Sequence, residues 1–477
     1  EQTSGMEGLR HEDCPRGASS PSRNRAQRRV RRASWTVNMH CGTWQRTPGN
    51  KQVGWRRLDR NVRQKSGRTQ ATSDVKKVTN IDEETVVICG AGIAGMASAR
   101  ALHMVGIPSV ILERGEDDSR TEGTAIALWA NAFRALDALG IGDELRAEYP
   151  NLERFKLCNQ SGRVLKEFEL DECDGGPHEF RGVRRSKLLQ SLQKDLPKGM
   201  IHFSCPVKSA ASTENGALVV LENGQSVPCR AVLGCDGVRS NVARSLGLPP
   251  AQYAGYQAYR GVAKFDGGIP FERAVYQVWH TEGASGTRFG MYPMNSEEVY
   301  WFVCFNWPDE TSQMSPKEKK ADALGFVSDW GFGIADVVRN TPEDNIIRSK
   351  IGDRLLLPPF QKQWGRGYIS LAGDAAHPMT PNLGQGGCCA LEDAVVLGRM
   401  LSRSLPGPTT MEALRVYEKE RMGRAAYLTL RSRVFGALLQ LPLRPVTMTR
   451  DLIVSTAFKP DHFLDHTMYD CGILSKN

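Results

Sequence analysis

The sequence has 12 cysteines but no Cys-x-x-Cys pair. No zinc-type spacing appears, and the adjacent pair Cys388-Cys389 is unsuited to bridging itself. A disulfide framework and a structural metal site are therefore not expected, and a reducing compartment with free thiols is. No uncharged apolar run reaches the ~18 residues of a membrane span. The sequence thus predicts a soluble protein whose membrane contact, if any, is peripheral. No internal repeat is present. The folded part also lacks excess charge. Of the net +9, residues 1–80 carry 18 basic against 6 acidic residues, and the remainder holds 44 basic against 47 acidic. A near-neutral body argues against a nucleic-acid partner.

Residues 1–80 are poor in aliphatic side chains and rich in Arg, Ser and Gly, without amphipathic period. They are expected to be a disordered basic arm. A basic, Ser-containing, acid-poor leader also fits an organellar transit peptide, so chloroplast and cytoplasm are the two expected locations. Such an arm is equally a plain solvated tail.

Order begins near Thr85. A β-branched run to Cys89, a Gly-rich turn, a small-residue helix to about Val105 and a strand Ser109–Leu112 form a βαβ unit. Helices are predicted over 134–145 and 186–194, and strands over 201–209, 217–222, 226–229 and 231–234. From Tyr256 to Asn306, alternating aromatic segments such as VYQVWH and VYWFVCFN predict antiparallel strands with one wet face. Parallel-sheet texture returns at YISLAGD, followed by a long helix from about Gly387 to Leu405. The fold class expected is α/β: a Rossmann-type domain in discontinuous pieces (81–255 and 361–405), an inserted antiparallel substrate sheet (256–360) and C-terminal helices (406–477).

Three motifs carry chemistry. GAGIAG, Gly90 to Gly95 with Ile93 and Ala94 inside it, follows a strand and opens a helix. Gly90 allows the turn, Gly92 the approach of a pyrophosphate, and Gly95 close packing of helix on strand. The helix start then receives the phosphates. Glu113, followed by Arg114, ends the next strand where an acid bonds ribose hydroxyls. GCDGVRS, Gly234 to Ser240, follows an apolar strand and brings Asp236 and Gly237; taken alone, an ordinary Asp-Gly turn is an equal reading of it. LAGDAAHPMTPNLGQGGCCALEDA places Asp374 at a strand end, where a carboxylate accepts bonds from sugar-alcohol hydroxyls. Its ribbon Gly384, Gln385, Gly386, Gly387 enters a helix whose N-terminus stabilises negative charge, such as that on reduced flavin.

In this order and spacing the motifs resemble the flavoprotein monooxygenases of the para-hydroxybenzoate hydroxylase class. Among these the chain resembles plant enzymes of the monooxygenase-1 / salicylate-hydroxylase-like group, relatives of zeaxanthin epoxidase. LWANAFRALDALGIGDELR, RGVRRSKLLQSL and HPMTPNLGQGGCCALEDAVVL carry the likeness, which spans about Glu84 to Leu405 and returns in YDCGIL, Tyr469 to Leu474.

The resemblance implies bound FAD, with NADPH or NADH as co-substrate. It implies insertion of one atom of O2 into a small aromatic or isoprenoid-like organic substrate through a C4a-hydroperoxyflavin, by hydroxylation or epoxidation. Arg185 is implied near the pyrophosphate and ribityl chain, with Arg120 beside it. Asp236 and Gly237 are implied for FAD and NAD(P)H, with Arg244 trailing, and Ser240 stands one place off the expected serine. Asp374 is implied for the ribityl hydroxyls, and Pro378, Pro381 and Gly384 to Gly387 for the isoalloxazine. One GxGxxG argues against the two-Rossmann Baeyer–Villiger type, and no W-x-W-x-I-P segment of flavin halogenases is present. A flavin dehydrogenase or reductase, and a non-catalytic FAD-binding regulator, are the alternatives. His377 lies by motif beside the flavin, where proton handling competes with a structural role. On the substrate sheet, Arg260 and Arg288 are candidates for an acidic substrate, with Tyr292 beside them. Strand alternation does not say which of Tyr256, Tyr259, Arg260, Arg288, Tyr292, Tyr300 and Trp301 face a cavity. Nothing in the sequence bears on oligomeric state.

Overall fold

The run VVIC at Val86–Cys89 is buried at every position, as a strand covered on both faces must be. It is the centre of a five-stranded parallel sheet in the computed structural model. The order is Ile369–Leu371, Ala231–Gly234, Val86–Cys89, Ser109–Leu112, Ile201–His202. Pairing aligns Gly234 with both Cys89 and Leu371, and Cys89 with Leu112. The carboxyl ends of four strands therefore lie in one row. Everything that follows them, from Gly90, Glu113, Asp236 and Asp374, gathers along one edge of the sheet, where open α/β sheets bind ligands.

The structure describes residues 81–117, 125–280, 286–310, 313–356 and 363–475, together with a short antiparallel pairing of Trp44–Gln45 with Arg56–Arg57. The disordered or transit-peptide reading of residues 1–80 otherwise lies outside the described residues, as does Arg120. Residues 1–71 and 72–477 are two separate units.

The second large sheet has seven strands: Ile347–Asp353, Gln252–Lys264, Glu298–Asn306, Arg288–Pro293, Val275–Trp279, Arg154–Asn159 and Val164–Glu169. All neighbours are antiparallel except Val275–Trp279 with Arg154–Asn159. The sheet is thus not confined to 256–360, because two strands come from the preceding segment. One face covers a core with Tyr259, Trp301 and Val303 beneath the helices Pro316–Val327 and Ile334–Arg339. The other face looks toward the nucleotide edge. Between them runs a two-stranded ladder, Ala125–Trp129 with Phe180–Arg184, that the sequence did not signal.

Two predicted elements are interrupted. The helix expected over 134–145 is two helices, Ala130–Ala138 and Gly142–Glu148, parted at Gly140 with φ +71°. The strand expected over 201–209 is two, because Ser204 takes φ +57° ahead of Pro206.

Candidate functional site

The first motif forms a turn that only glycine permits. Gly90 has φ +105°, and a Cβ there would lie 2.7 Å from the Cys235 carbonyl oxygen. A Cβ at Gly95 would lie 1.9 Å from the Gly90 carbonyl oxygen, so this glycine lets the helix Ile93–Met104 press on the strand. Gly92 differs. A Cβ there would meet only the Arg185 guanidinium, at 3.9 Å, so its smallness serves no packing within the protein. It borders open space, and the helix that starts beside it has no side-chain cap. Uncapped N–H groups facing a cavity form an anion cradle.

Glu113 bridges this turn: its carboxylate accepts from the Ala91 N–H at 2.8 Å and the Gly115 N–H at 2.7 Å. Arg114 is exposed. Asp236 caps the short helix Asn241–Ser245 through one oxygen, accepting from Asn241 N–H at 2.7 Å and Val242 N–H at 3.2 Å. Its buried Oδ1 has no partner, and Gly237 beside it lines the cleft. Ser240 is the helix cap, accepting from Ala243 N–H at 2.8 Å. Arg244 is exposed and bonded to Asn241, so neither it nor Ser240 reaches the cleft.

Asp374 stands in the turn after Ile369–Leu371 with its carboxylate exposed to the cleft. The enclosing walls still cost its ionised form hydration and raise its pKa, against the pull of His377, Arg260, Arg185 and Arg354. Arg185 is desolvated in turn, which lowers its pKa, with Asp374 and Glu113 opposing. A Cβ at Gly386 would find nothing nearer than Asp374 Oδ1 and Met379, both at 3.9 Å. The 16-residue helix Gly386–Leu401 is likewise uncapped and points its first residues into the cleft. Buried Pro378 and exposed Pro381 line it too.

The Gln385 side chain turns away, bonded to Asn131 at 2.8 Å inside the core, and is not on the cleft wall. His377 also requires correction as a catalytic candidate. It is 3% exposed, packs on Trp364, and its Nε2 bonds Asp393 at 2.6 Å. The backbone turn at Gly373 points it under the cleft and not into it. There it joins a buried ionic cluster that sequence reading missed. Arg421 bonds Asp393 at 2.7 Å and Glu392 at 2.5 Å, and Arg424 reaches Glu392 at 2.7 Å. Burial opposes the charge on Asp393, yet His377 and Arg421 hold its pKa at about 2. The Glu-Asp pair inside an apolar helix was the available signal.

The cleft has a volume of about 1120 Å³. Its far wall comes from the large sheet: Arg260, Arg288, Tyr292, Tyr300 and Phe302 face it. Tyr259 and Trp301 face the opposite core, bonded to Asp322 at 2.6 Å and Thr341 at 2.7 Å. Among the described residues no carboxylate pairs with Arg260 or Arg288. Arg288 is 4% exposed, lies against the Tyr256 and Phe302 rings, and donates to Asn382, but its buried Nε has no partner. The Tyr292 and Tyr300 rings lie tilted against each other with centroids 5.0 Å apart, and burial pushes the Tyr292 hydroxyl well above its ordinary pKa. The third wall was not anticipated: Leu438 and Ile453 of the C-terminal helices, with Phe458 in the link that follows, close it.

A parallel sheet with a glycine cradle at its carboxyl edge, opening onto an antiparallel sheet, defines a dinucleotide-binding flavoprotein of the hydroxylase type. Residues 83–432 match the FAD binding domain family, and the chain belongs to it, among the FAD-dependent monooxygenases. It is 32% identical over 408 residues to Monooxygenase 2 of Arabidopsis thaliana, covering 82% of this chain and 98% of that protein. It is 30% identical over 404 residues to the chloroplastic zeaxanthin epoxidase of Nicotiana plumbaginifolia, 79% of this chain and 59% of that protein. The fold is shared with Klebsiella pneumoniae HpxO complexed with FAD and uric acid. There the TM-score is 0.70 at 24% identity, over 80% of this chain and 95% of that one.

Proposed function

We propose that this monooxygenase takes electrons from NADPH or NADH and oxygenates a largely apolar organic substrate bearing an acidic group. The observation that carries the substrate class is Arg288, a buried cleft-facing cation with no ion-pair partner among the described residues, with half-buried Arg260, whose charge also acts on Asp374, on the same wall. A buried guanidinium without a counter-ion is costly, and an anionic ligand supplies the missing partner.

The residues present fit FAD. The open space at Gly92 and the start of Ile93–Met104, with Ile93 and Ala94, would take the pyrophosphate, with Arg185 alongside. Glu113 would take the adenosine ribose and Asp374 the ribityl hydroxyls. Gly386, Gly387 and the uncapped helix behind them would face the flavin ring's negative charge. Bound FAD supplies hydride acceptance and the activation of O2 for transfer to the substrate. The chain's part is to orient: Arg260 and Arg288 fix the acidic end, while Tyr292, Tyr300 and Phe302 exclude water around the ring or alkene.

Arg260→Met and Arg288→Met test the assignment. Each should raise KM or Kd for an aromatic carboxylate by about 10- to 100-fold, the worth of a charge-assisted bond. The affinity for the corresponding neutral amide should change little. Equal losses for both ligands would contradict it. For location, the basic composition of residues 1–80 and the chloroplastic relatives support an organellar address. Import of a full-length fluorescent fusion into chloroplasts is expected, and cytoplasmic retention would contradict it.

A further inference from the structure

The helices Pro408–Gln440 and Arg444–Thr456, joined by residues 441–443, both turn apolar side chains outward. On the first helix, Tyr427, Leu430, Val434 and Leu438 recur at three- and four-residue spacing and are 51%, 40%, 52% and 51% exposed. Across the turn, Leu441, Leu443, Met448, Leu452 and Ile453 are 39% to 62% exposed. Nine of the 16 exposed large apolar residues among those described lie between 427 and 453, so this is a patch and not ordinary scatter.

Two further observations say what covers it. Leu438 and Ile453 also border the cleft, so the patch runs without a break into the cleft mouth. Residues 427–459 hold five Lys and Arg against a single acid, Asp451; Arg431 and Arg433 are paired with Asp465 and Asp353 from outside the stretch, so the charge it offers to solvent is that of Arg444 and Lys459. Asp451 is already engaged by Trp279 Nε1 at 2.8 Å and by Arg450. Arg444 and Lys459 are exposed with no acidic partner among the described residues.

We propose that this pair of helices seats the protein on an anionic lipid surface, with the cleft mouth facing the bilayer so that an apolar substrate enters from the lipid. Leu443, Met448 and Leu452 would lie at the boundary of headgroups and acyl chains, and Arg444 and Lys459 among the headgroups. No helix among the described residues is long and apolar enough to cross a membrane, so the contact lies in the interface plane. Such a surface suits the mostly apolar, acid-bearing substrate proposed above, which would concentrate there. The docking itself does not depend on that assignment and is read without turnover.

The test is co-sedimentation of the FAD-loaded full chain with vesicles of phosphatidylcholine alone and of phosphatidylcholine mixed with phosphatidylglycerol. Binding to the mixed vesicles is expected. It should fall by at least about tenfold in Leu443→Asp/Met448→Asp/Leu452→Asp, none of which lines the cleft, with FAD retention and Tm unchanged. Arg444→Glu/Lys459→Glu, which leaves the apolar patch intact, should weaken binding to the mixed vesicles specifically. Absence of binding by the unmodified chain would overturn the proposal. So would unchanged binding by both variants, which would leave attachment to the basic residues 1–80. Sedimentation velocity showing a dimer that the apolar variant dissolves would assign the patch to a second copy and overturn it too.

Discussion

Gly92 and Gly95 stand three residues apart and are needed for opposite reasons. Gly95 is small because protein fills the space; Gly92 is small although nothing in the protein does. Gly95→Ala should therefore destabilise the apoprotein by about 2 kcal/mol or more, as overpacking against rigid backbone does. Gly92→Ala should leave apoprotein stability within about 0.5 kcal/mol yet weaken FAD binding, and Gly92→Val should abolish it. Thermal melts of apoprotein and flavin titrations separate the two, and a yellow Gly92→Val protein would sink the cradle. Asp374→Ala should bind FAD about 10- to 100-fold more weakly by flavin titration, since bonds to a carboxylate are lost. These roles were legible in the sequence because backbone geometry and local spacing dictate them. The fate of His377 was not, since its direction depends on the Gly373 turn and on Asp393, sixteen residues on. Strand alternation sets Arg260 and Tyr259 on opposite faces but does not say which face meets a cleft; that took the two cores on either side of the sheet.

Among elements, the helix Gly386–Leu401 does two jobs. Its first turn faces the cleft, and its buried Glu392 and Asp393 are clamped by Arg421 and Arg424 from Pro408–Gln440. Removing one partner of a buried charge set leaves the other uncompensated. Arg421→Met should cost about 3–5 kcal/mol in chemical unfolding. The pH dependence follows from the depressed Asp393. A carboxyl lowered to about 2 in the folded state contributes stability that is present above its unfolded value and lost as pH falls toward about 2. Without Arg421 that pKa rises, so the acid-unfolding midpoint of Arg421→Met should move to higher pH; an unmoved midpoint would contradict the clamp. Sequence pattern located the βαβ unit and the buried strands, whose apolar runs are local signals. It did not pair Arg154–Asn159 and Val164–Glu169 with the larger sheet, because that contact joins strands over a hundred residues apart. The C-terminal region was legible only as helices, and their packing alone shows that they wall the cleft.

At the scale of the molecule, the row of strand ends in one sheet and the inward face of the other enclose a single cleft. FAD at a hundredfold excess over its Kd should stabilise the protein by about 2.7 kcal/mol if it binds only the folded state. A rise in Tm with FAD, and none with AMP at equal concentration, would show that the flavin half is engaged as well as the nucleotide half. The central claim is oxygenation. It is tested most directly by giving the FAD-loaded full chain NADPH or NADH under oxygen-18 gas, with a panel of acidic aromatic and amphiphilic isoprenoid compounds. The account predicts a product carrying one oxygen-18 atom for each nicotinamide oxidised in the coupled reaction. A product formed at the expense of the nicotinamide or of O2, but without oxygen-18, would make the protein a dehydrogenase or reductase and contradict it.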